Sequence, residues 1–462
     1  MRTKFGIKRT IAASLVAIGT TLSPLAVSAE TLGDALASAY KNSGLLEQNR
    51  ANLRATDEGV AAAVGAMRPT LTYAATASKN QGEWAKSLQF TASMTLYTFG
   101  RNKLNVAAAK ETVLATRATL VSIEQDVLSN AVTAYMNVRY NDAQANLRAN
   151  SVRLVQQNLR AAQDRFEVGE ITKTEVSQVE AQLASARAQL AAAQGQVSAA
   201  REAYKVAVGK YPSKLSSPPA LKLPATSADE AVRIAMRTHP AIKALQHRIA
   251  ASDLAVEITK RGLFPTVGAQ ATRTQSGAWT EDALSSENGT TSLSVTASGA
   301  LYGGGQASSA VRTAIANRDS ARASLLTTTR QIEQGVRTSW SMLSVFDASS
   351  QATAALVKAQ RVAYQGVKEE AELGASTTLD VLEAEQDLLD AQVAAIQATI
   401  DREAGIYSLL NAMGLMTVEN LTLNVPVYDP AAYYNAVKSA PSSMVSPEGE
   451  KLNRVLEALG RN

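Results

Sequence analysis

The chain carries one sequence pattern twice, and this duplication constrains its fold more than any other feature. "GDALASAYKNSGLL" from Gly33 matches "DEAVRIAMRTHPAI" from Asp229, and "LYTFGR" from Leu96 matches "LYGGGQ" from Leu301. Further on, "VGEITKTEV" from Val168 matches "LGASTTLDV" from Leu373. Matches that keep the same order over most of the chain predict two halves with the same succession of elements.

Each copy is predicted to contain a helix, two alternating segments, a very long helix and a last helix. The first repeat spans 30–210, with a β-hairpin over about 70–98, a long helix over 101–166 and a helix over 172–208. The second repeat spans 229–425, with the same elements at about 266–301, 306–371 and 377–412. A linker over 211–228 joins the repeats, and a Pro/Ser-rich tail occupies 426–462.

Residues 1–29 have the pattern of a secretory signal peptide. Four basic residues precede an apolar run, and "AVSA" ends at Ala29 with small residues before the expected cut. Removal of this segment lowers Lys plus Arg from 46 to 42 against 41 Asp plus Glu, so the mature chain is almost neutral. No basic stripe remains to predict nucleic-acid binding. The chain has no cysteine, which excludes disulfides and thiolate zinc sites.

The long helices show heptad spacing of apolar residues. Val106, Val113, Leu120 and Val127 follow one another at seven-residue steps, as do Leu183, Leu190, Val197 and Tyr204. Small residues between them permit close approach of two helices. Each copy is therefore predicted to form an antiparallel coiled-coil hairpin. Its tip turn lies at Gly169 and Thr172 in the first copy and at Gly374 and Thr377 in the second.

The short segments alternate between apolar and hydroxyl-bearing residues, as in "SLQFTASMTL" from Ser87. Strands of about ten residues match either a small soluble sheet or membrane-spanning β-strands. Because the chain is predicted to be exported, the membrane interpretation is favoured. Four strands cannot close a barrel and an open edge is not tolerated in lipid, so the barrel would have to be shared among subunits.

The duplication, the "LYTFGR" and "LYGGGQ" strand ends, and the "VGEITKTEV" and "LGASTTLDVLEA" turns together resemble the TolC family of outer-membrane exit ducts. The resemblance implies a mainly α fold with membrane β-strands, in which a homotrimer shares a twelve-stranded barrel above a periplasmic tunnel. It implies an outer-membrane location in a Gram-negative envelope, and as partners a periplasmic adaptor (membrane fusion) protein and an inner-membrane ABC or RND-type transporter. It also implies that the duct is not an enzyme and needs no cofactor.

The resemblance also points to candidate gate residues at the tips. In the best-known relative, acids after the second tip turn ring the entrance, and "TTLDVLEA" places Asp380 and Glu383 at those positions. Asp387 and Asp390 extend the same helix face by spacing. Glu175 is the acid that the first tip retains. The relative closes its tip with a Tyr and an Arg, but this chain has Ala371 and Ser376 there, so another contact set, with Arg165 and Lys173 as candidates, is expected.

Other motifs carry less weight. Gly100, Gly303, Gly304 and Gly305 are expected to supply turns between strand and helix, and no GK[ST] sequence follows them to form a phosphate loop. His239 and His247 do not have the spacing of a zinc signature. Two rival interpretations remain open, a periplasmic coiled-coil adaptor or scaffold of an export complex and a trimeric surface adhesin, although neither accounts for the duplication as well.

Overall fold

The two copies fold into matching successions of elements in the computed structural model, which describes residues 29–80, 82–219, 221, 223–278, 289–442, 447, 450–451 and 454. The first copy contains α1 (Leu32–Asn42), α2 (Gly44–Gly65), β1 (Thr70–Asn80), β2 (Glu83–Tyr97), α3 (Arg101–Glu167) and α4 (Lys173–Val208). The second contains α5 (Ala228–Thr238), α6 (Pro240–Arg261), β3 (Thr266–Ala278), β4 (Gly289–Ser298), α7 (Gln306–Glu372) and α8 (Thr378–Ala412). A ninth helix, α9 (Pro430–Val437), follows.

The predicted fold class is confirmed, since long helices dominate the described chain and four strands form one antiparallel sheet. The predicted signal peptide, apart from Ala29, lies outside the described residues, as do residues 279–288 of the second predicted hairpin. No helix among the described residues is long and apolar enough to cross a membrane.

Two short helices, α1 and α5, precede α2 and α6 and were not predicted. Thr31 starts α1 with a capping box, because its hydroxyl accepts from the Asp34 backbone N–H and Asp34 accepts from the Thr31 N–H. Ser43 then breaks the helix with extended backbone and caps α2. His239 does the same between α5 and α6, where Pro240 occupies the first turn. The breaks therefore come from caps at corresponding positions of the two copies.

The sheet has the strand order β1-β2-β3-β4, so β2 and β3 join the first copy to the second. Its register places most of the large apolar residues on one face, with Leu71 beside Ala92, Ala92 beside Ala271, and Ala271 beside Leu293. Arg273 also lies on this face, beside Phe90. The adjacent row, which points to the other face, is polar throughout and contains Thr70, Ser93, Gln270 and Ser294. The sheet therefore has one apolar and one polar face.

The apolar face of the sheet is not covered within the chain. Leu71 and Tyr73 are each 76% exposed, Leu293 is 79% exposed and Val295 is 67% exposed. In a monomeric soluble protein such a contiguous apolar surface is unusual and indicates a contact with lipid or with another protein. The two outer strands each pair on one edge only, since β1 pairs with β2 and β4 pairs with β3 among the described strands.

The helices pack as two antiparallel hairpins, α3 with α4 and α7 with α8, and α6 lies between α3 and α7. The main core collects apolar side chains from α1, α2, α3, α4 and α8 around Tyr135 and Tyr204. Both tyrosines are fully buried, and their hydroxyl groups donate to the backbone oxygen and the carboxylate of Glu30, respectively. This hydrogen-bonded cluster fixes the start of the described chain near the middle of the long helices.

The two long helices have equal lengths of 67 residues, about 100 Å each, but very unequal burial. Fifteen residues of α3 are buried, whereas Val336 is the one buried residue of α7. Apolar side chains such as Val345 and Val362 remain 54% and 69% exposed on α7. Such limited burial leaves most of the surface of α7 available for packing against further protein.

We expect the end of α8 to be sensitive to the size of residue 414. Gly414 has φ of 74°, and a Cβ there would lie 2.7 Å from the Cα of His239. Gly305 has a similar φ of 84° but open space around it. Gly305→Ala should therefore lower the free energy of unfolding by about 1–2 kcal/mol through its left-handed backbone alone. Gly414→Ala should lower it by a further 1–3 kcal/mol, roughly, through overpacking.

The pair can be compared by thermal unfolding of the purified protein, followed by the helix signal in far-UV circular dichroism. Equal melting temperatures for the two variants would show that the contact between Gly414 and the junction of α5 with α6 does not contribute.

Candidate functional site

The two coiled-coil tips lie at the same end of the hairpins, and each is built by a glycine turn followed by a capping box. Gly169 and Gly374 have φ of 80° and 78°, in the left-handed region that favours glycine. Thr172 then caps α4, and Thr377 caps α8. The sequence repeats the same local chemistry because each turn has to reverse a helix within five residues.

The capping boxes involve two of the predicted gate acids. Asp380 Oδ2 accepts from the backbone N–H and the hydroxyl group of Thr377, each at 2.7 Å. Hydrogen bonds from the Thr377 hydroxyl and backbone N–H lower the pKa of Asp380 below its usual value. Glu175 Oε1 accepts from the backbone N–H of Thr172 at 3.2 Å in the same way. The Asp380 carboxylate, which remains exposed, is therefore held ionised.

One contact joins the two tips directly. The hydroxyl group of Thr378 donates to Glu175 Oε2 at 3.2 Å, so Glu175 caps its own helix with one oxygen and binds the other tip with the second. Ser376 donates to Glu370 Oε2 at 2.8 Å within the second tip. The predicted alternative contact, Arg165, instead lies 3.9 Å from Glu170 in the first tip. The sequence did not single out Thr378, because a hydroxyl group at the start of a helix is common.

The predicted acidic face of α8 is exposed along its whole length. Asp380, Glu383, Asp387 and Asp390 are all exposed to solvent, as the helical spacing predicts for one face. Asp390 lies 3.9 Å from Arg148 of α3 and accepts from Gln386 at 2.9 Å. The tips themselves enclose an open groove of about 700 Å³, which Arg165, Glu170, Glu175 and Glu372 line together with the second turn.

The predicted turn glycines divide into two kinds. Gly100 and Gly305 immediately precede α3 and α7, with φ of 81° and 84°. Gly304 also has a positive φ, of 60°, whereas Gly303 does not. Among the described residues, no group of His, Asp or Glu side chains is arranged to hold a metal ion.

A buried acid near the tip was missed. Glu385 lies on α8 between the exposed acids Glu383 and Asp387, yet it is only 7% exposed. The amide of Asn158 on α3 donates to Glu385 Oε2 at 3.0 Å. Burial raises the pKa of Glu385 to about 7, although the Asn158 hydrogen bond acts in the opposite direction. The signal for it was the spacing of Leu382, Glu385 and Leu389, which places Glu385 on the core face of the helix.

Comparisons with known proteins agree with this architecture. The family model described as outer membrane efflux protein matches residues 35–210 and 231–415, one match in each copy. The outer membrane efflux protein BepC of Brucella suis biovar 1 is 34% identical over 447 residues, which cover 96% of this chain and 98% of the relative.

Solved structures show the same fold at lower identity. The CmeC outer membrane channel of Campylobacter jejuni aligns with a TM-score of 0.75 and 16% identity, over 89% of this chain and 90% of that one. The open state of the MtrE outer membrane channel of Neisseria gonorrhoeae aligns with a TM-score of 0.73 and 18% identity, over 84% and 90%.

The match to the family model covers both repeats and most of the chain, and the identity to BepC extends over nearly the full length of both proteins. The chain therefore belongs to the outer membrane efflux protein family, whose members are outer-membrane efflux proteins and not enzymes.

Proposed function

We propose that the protein is the outer-membrane exit duct of a tripartite export system, gated at the two helix tips. As a homotrimer it passes drugs or secreted proteins from an inner-membrane ABC or RND-type transporter, through contacts with a periplasmic adaptor protein, to the exterior. The observation that carries this proposal is the sheet, which exposes one apolar face and leaves each outer strand paired on one edge only.

The sheet fits outer-membrane lipid better than water. One face is largely apolar, although Arg273 lies on it beside Phe90, whereas the opposite face is rich in hydroxyl groups. In lipid the open edges of β1 and β4 would leave backbone groups without hydrogen bonds, so further strands must cover them. A second subunit offers the required strand. Within one chain, the pairing of β2 with β3 already joins the first repeat to the second, and the same pairing can join two subunits.

The helices support the same mode of assembly. In the second copy α6 packs against both long helices, α3 and α7. Its counterpart α2 packs against α3 and the short α9, and no second long helix of the described chain packs against it as α7 packs against α6. The exposed α7 of a neighbouring subunit would fill that position. Three chains joined in this way supply twelve strands, the number that the resemblance to TolC implies.

A periplasmic adaptor or scaffold is the less supported alternative. It would share the coiled-coil hairpins, but it has no use for a sheet with an exposed apolar face. Membership of the outer membrane efflux protein family also favours the duct.

We expect the acidic face of α8 to set the ion selectivity of the duct. Three copies of Asp380 and Glu383 near a narrow axis would attract cations. Asp380→Ala/Glu383→Ala should therefore reduce the cation preference and the block by divalent ions in planar bilayers. The matched control is Glu167→Ala/Glu180→Ala, which removes two exposed acids from α3 and α4. Unchanged selectivity and block in the first variant would contradict this role.

We expect the hydrogen bond between Thr378 and Glu175 to hold the two tips together. Thr378→Val removes the donor and keeps the shape of the side chain. A hydrogen bond of this kind contributes about 0.5–1.5 kcal/mol, so the open-to-closed ratio should rise by roughly 2- to 10-fold. Single-channel recordings measure this ratio, and Thr174→Val, at an exposed position of α4, is the control. An open fraction equal to that of the control would exclude the contact from the gate.

We expect the adaptor to contact the tips around Gly169 and Gly374. Val168 and Leu373 precede these glycines and are 72% and 86% exposed. Because the chain has no cysteine, Val168→Cys and Leu373→Cys each introduce a single thiol for crosslinking in cells. Both should capture the adaptor, whereas Val206→Cys, 87% exposed at the other end of α4, should not. Capture by Val206→Cys alone would place the docking surface elsewhere.

A further inference from the structure

Glu385 occupies a position in the tip that an apolar residue would normally fill. Leu382 and Leu389, three residues before it and four residues after it, are both buried at 7% exposure. Leu382 belongs to an apolar cluster with Val152, Val155, Ala162, Val179, Leu183 and Ala186 of α3 and α4. A carboxyl group therefore lies within the contact between α8 and the first hairpin, about two turns from the tip.

The carboxyl group is only partly satisfied there. Oε2 accepts from the Asn158 amide, whereas Oε1 is buried without a hydrogen-bond partner among the described residues. A buried ionised carboxylate in this state is costly, whereas the neutral acid is tolerated far better. A cavity of about 160 Å³ adjoins the pair, and Asn158, Ala162 and Leu382 form part of its wall.

In the part of the chain that the structure describes, no basic side chain forms a salt bridge with Glu385. Tyr364 of α7 is close enough for the Glu385 charge to raise its pKa, after the larger effect of its own burial. Lys368 and Glu372 on α7 and Arg165 on α3 line the adjoining cavity, and Glu383 and Asp387 lie two residues away along α8. Glu175 on α4 accepts from Thr378, which also lines the cavity. Burial is the largest cause of the raised pKa of Glu385, which is about 7.

We propose that Glu385 is a further positioning residue of the tip gate, which holds α8 against α3 while its carboxyl group is protonated and weakens that contact when it ionises. The proton is exchanged with water as the contact opens. This inference rests on the proposed function of the tips as a gate, and it adds a second contact beside the one between Thr378 and Glu175.

The direction of the pH effect follows from the raised pKa. In the closed tip Glu385 keeps its proton up to about pH 7, whereas a solvated glutamate loses it near 4.5. Between these values the closed tip binds the extra proton, so its stability falls as the pH rises and becomes constant above about 7. The open-to-closed ratio should rise by up to about tenfold per pH unit within that window. Asp380, with its lowered pKa, titrates below it.

The test is the open fraction of single channels between pH 5 and pH 8. The open fraction of the wild-type protein should rise up to about pH 7 and level off above it, whereas Glu385→Gln should stay mostly closed with no pH dependence. Asn158→Ala removes the hydrogen bond that lowers the pKa of Glu385, so the pH at which the open-to-closed ratio levels off should be higher than in the wild type. Glu180→Gln, an exposed acid on α4, should behave like the wild type. The proposal would be overturned if Glu385→Gln kept the wild-type pH dependence, or if Asn158→Ala levelled off at the same pH as the wild type.

A second measurement does not depend on conduction. Ala162→Cys places a thiol at a position of α3 that is 5% exposed and lines the cavity. Its maleimide labelling rate, divided by that of the exposed Leu373→Cys, should rise with pH in the wild-type background and remain constant with Glu385→Gln. If the labelling rate follows pH in this way but the protein conducts no ions, the proposed duct function is wrong and the role of Glu385 in the tip contact still holds. If the protein conducts ions but the relative labelling rate is the same with and without Glu385→Gln, only the proposed role of Glu385 is wrong.

Discussion

The position of α6 between α3 and α7 is the contact on which the rest of the architecture depends. It joins the two copies through their long helices, as the pairing of β2 with β3 joins them through the sheet. In the proposed trimer another chain would continue the same relation, because β1 has an unpaired edge among the described strands and α2 lacks the long neighbour that α7 provides to α6. The internal duplication would then specify the intermolecular contact as well as the intramolecular one.

Much of this architecture could be predicted from the sequence. Heptad spacing, glycine turns and two-residue alternation are local signals, and the duplication allowed each to be read twice. The separate helices α1 and α5 were missed because each is only 11 residues long and ends at a single residue, Ser43 or His239, that also caps the next helix. The tail helix α9 was missed for a different reason. Its position depends on tertiary contacts with α2, such as the hydrogen bond from Tyr433 to Glu58.

The candidate site was predictable to a similar degree. The exposed acids of α8 follow from spacing, and the capping boxes follow from Thr172 with Glu175 and Thr377 with Asp380. The hydrogen bond between Thr378 and Glu175 could not be inferred, since it joins residues from different copies whose relative height is fixed by the packing of whole helices. The spacing of Glu385 from Leu382 and Leu389 places it on the core face of α8, whereas the prediction considered only the acids on the exposed face.

The acids of the tip are separated in function by their surroundings rather than by residue type. The capping box lowers the pKa of Asp380, and burial raises that of Glu385, although the two residues lie little more than one helical turn apart. Between about pH 4.5 and 7 the exposed Asp380 stays charged, whereas the Glu385 carboxyl group is neutral while buried and ionises only when it reaches solvent. In the proposed gate, the attraction of cations to the entrance and the contact of α8 with α3 would therefore respond differently to the same change in pH. Glu175 has two contacts, since it caps α4 with one oxygen and accepts from Thr378 with the other. A substitution there would therefore alter the first turn and the contact between the two tips together.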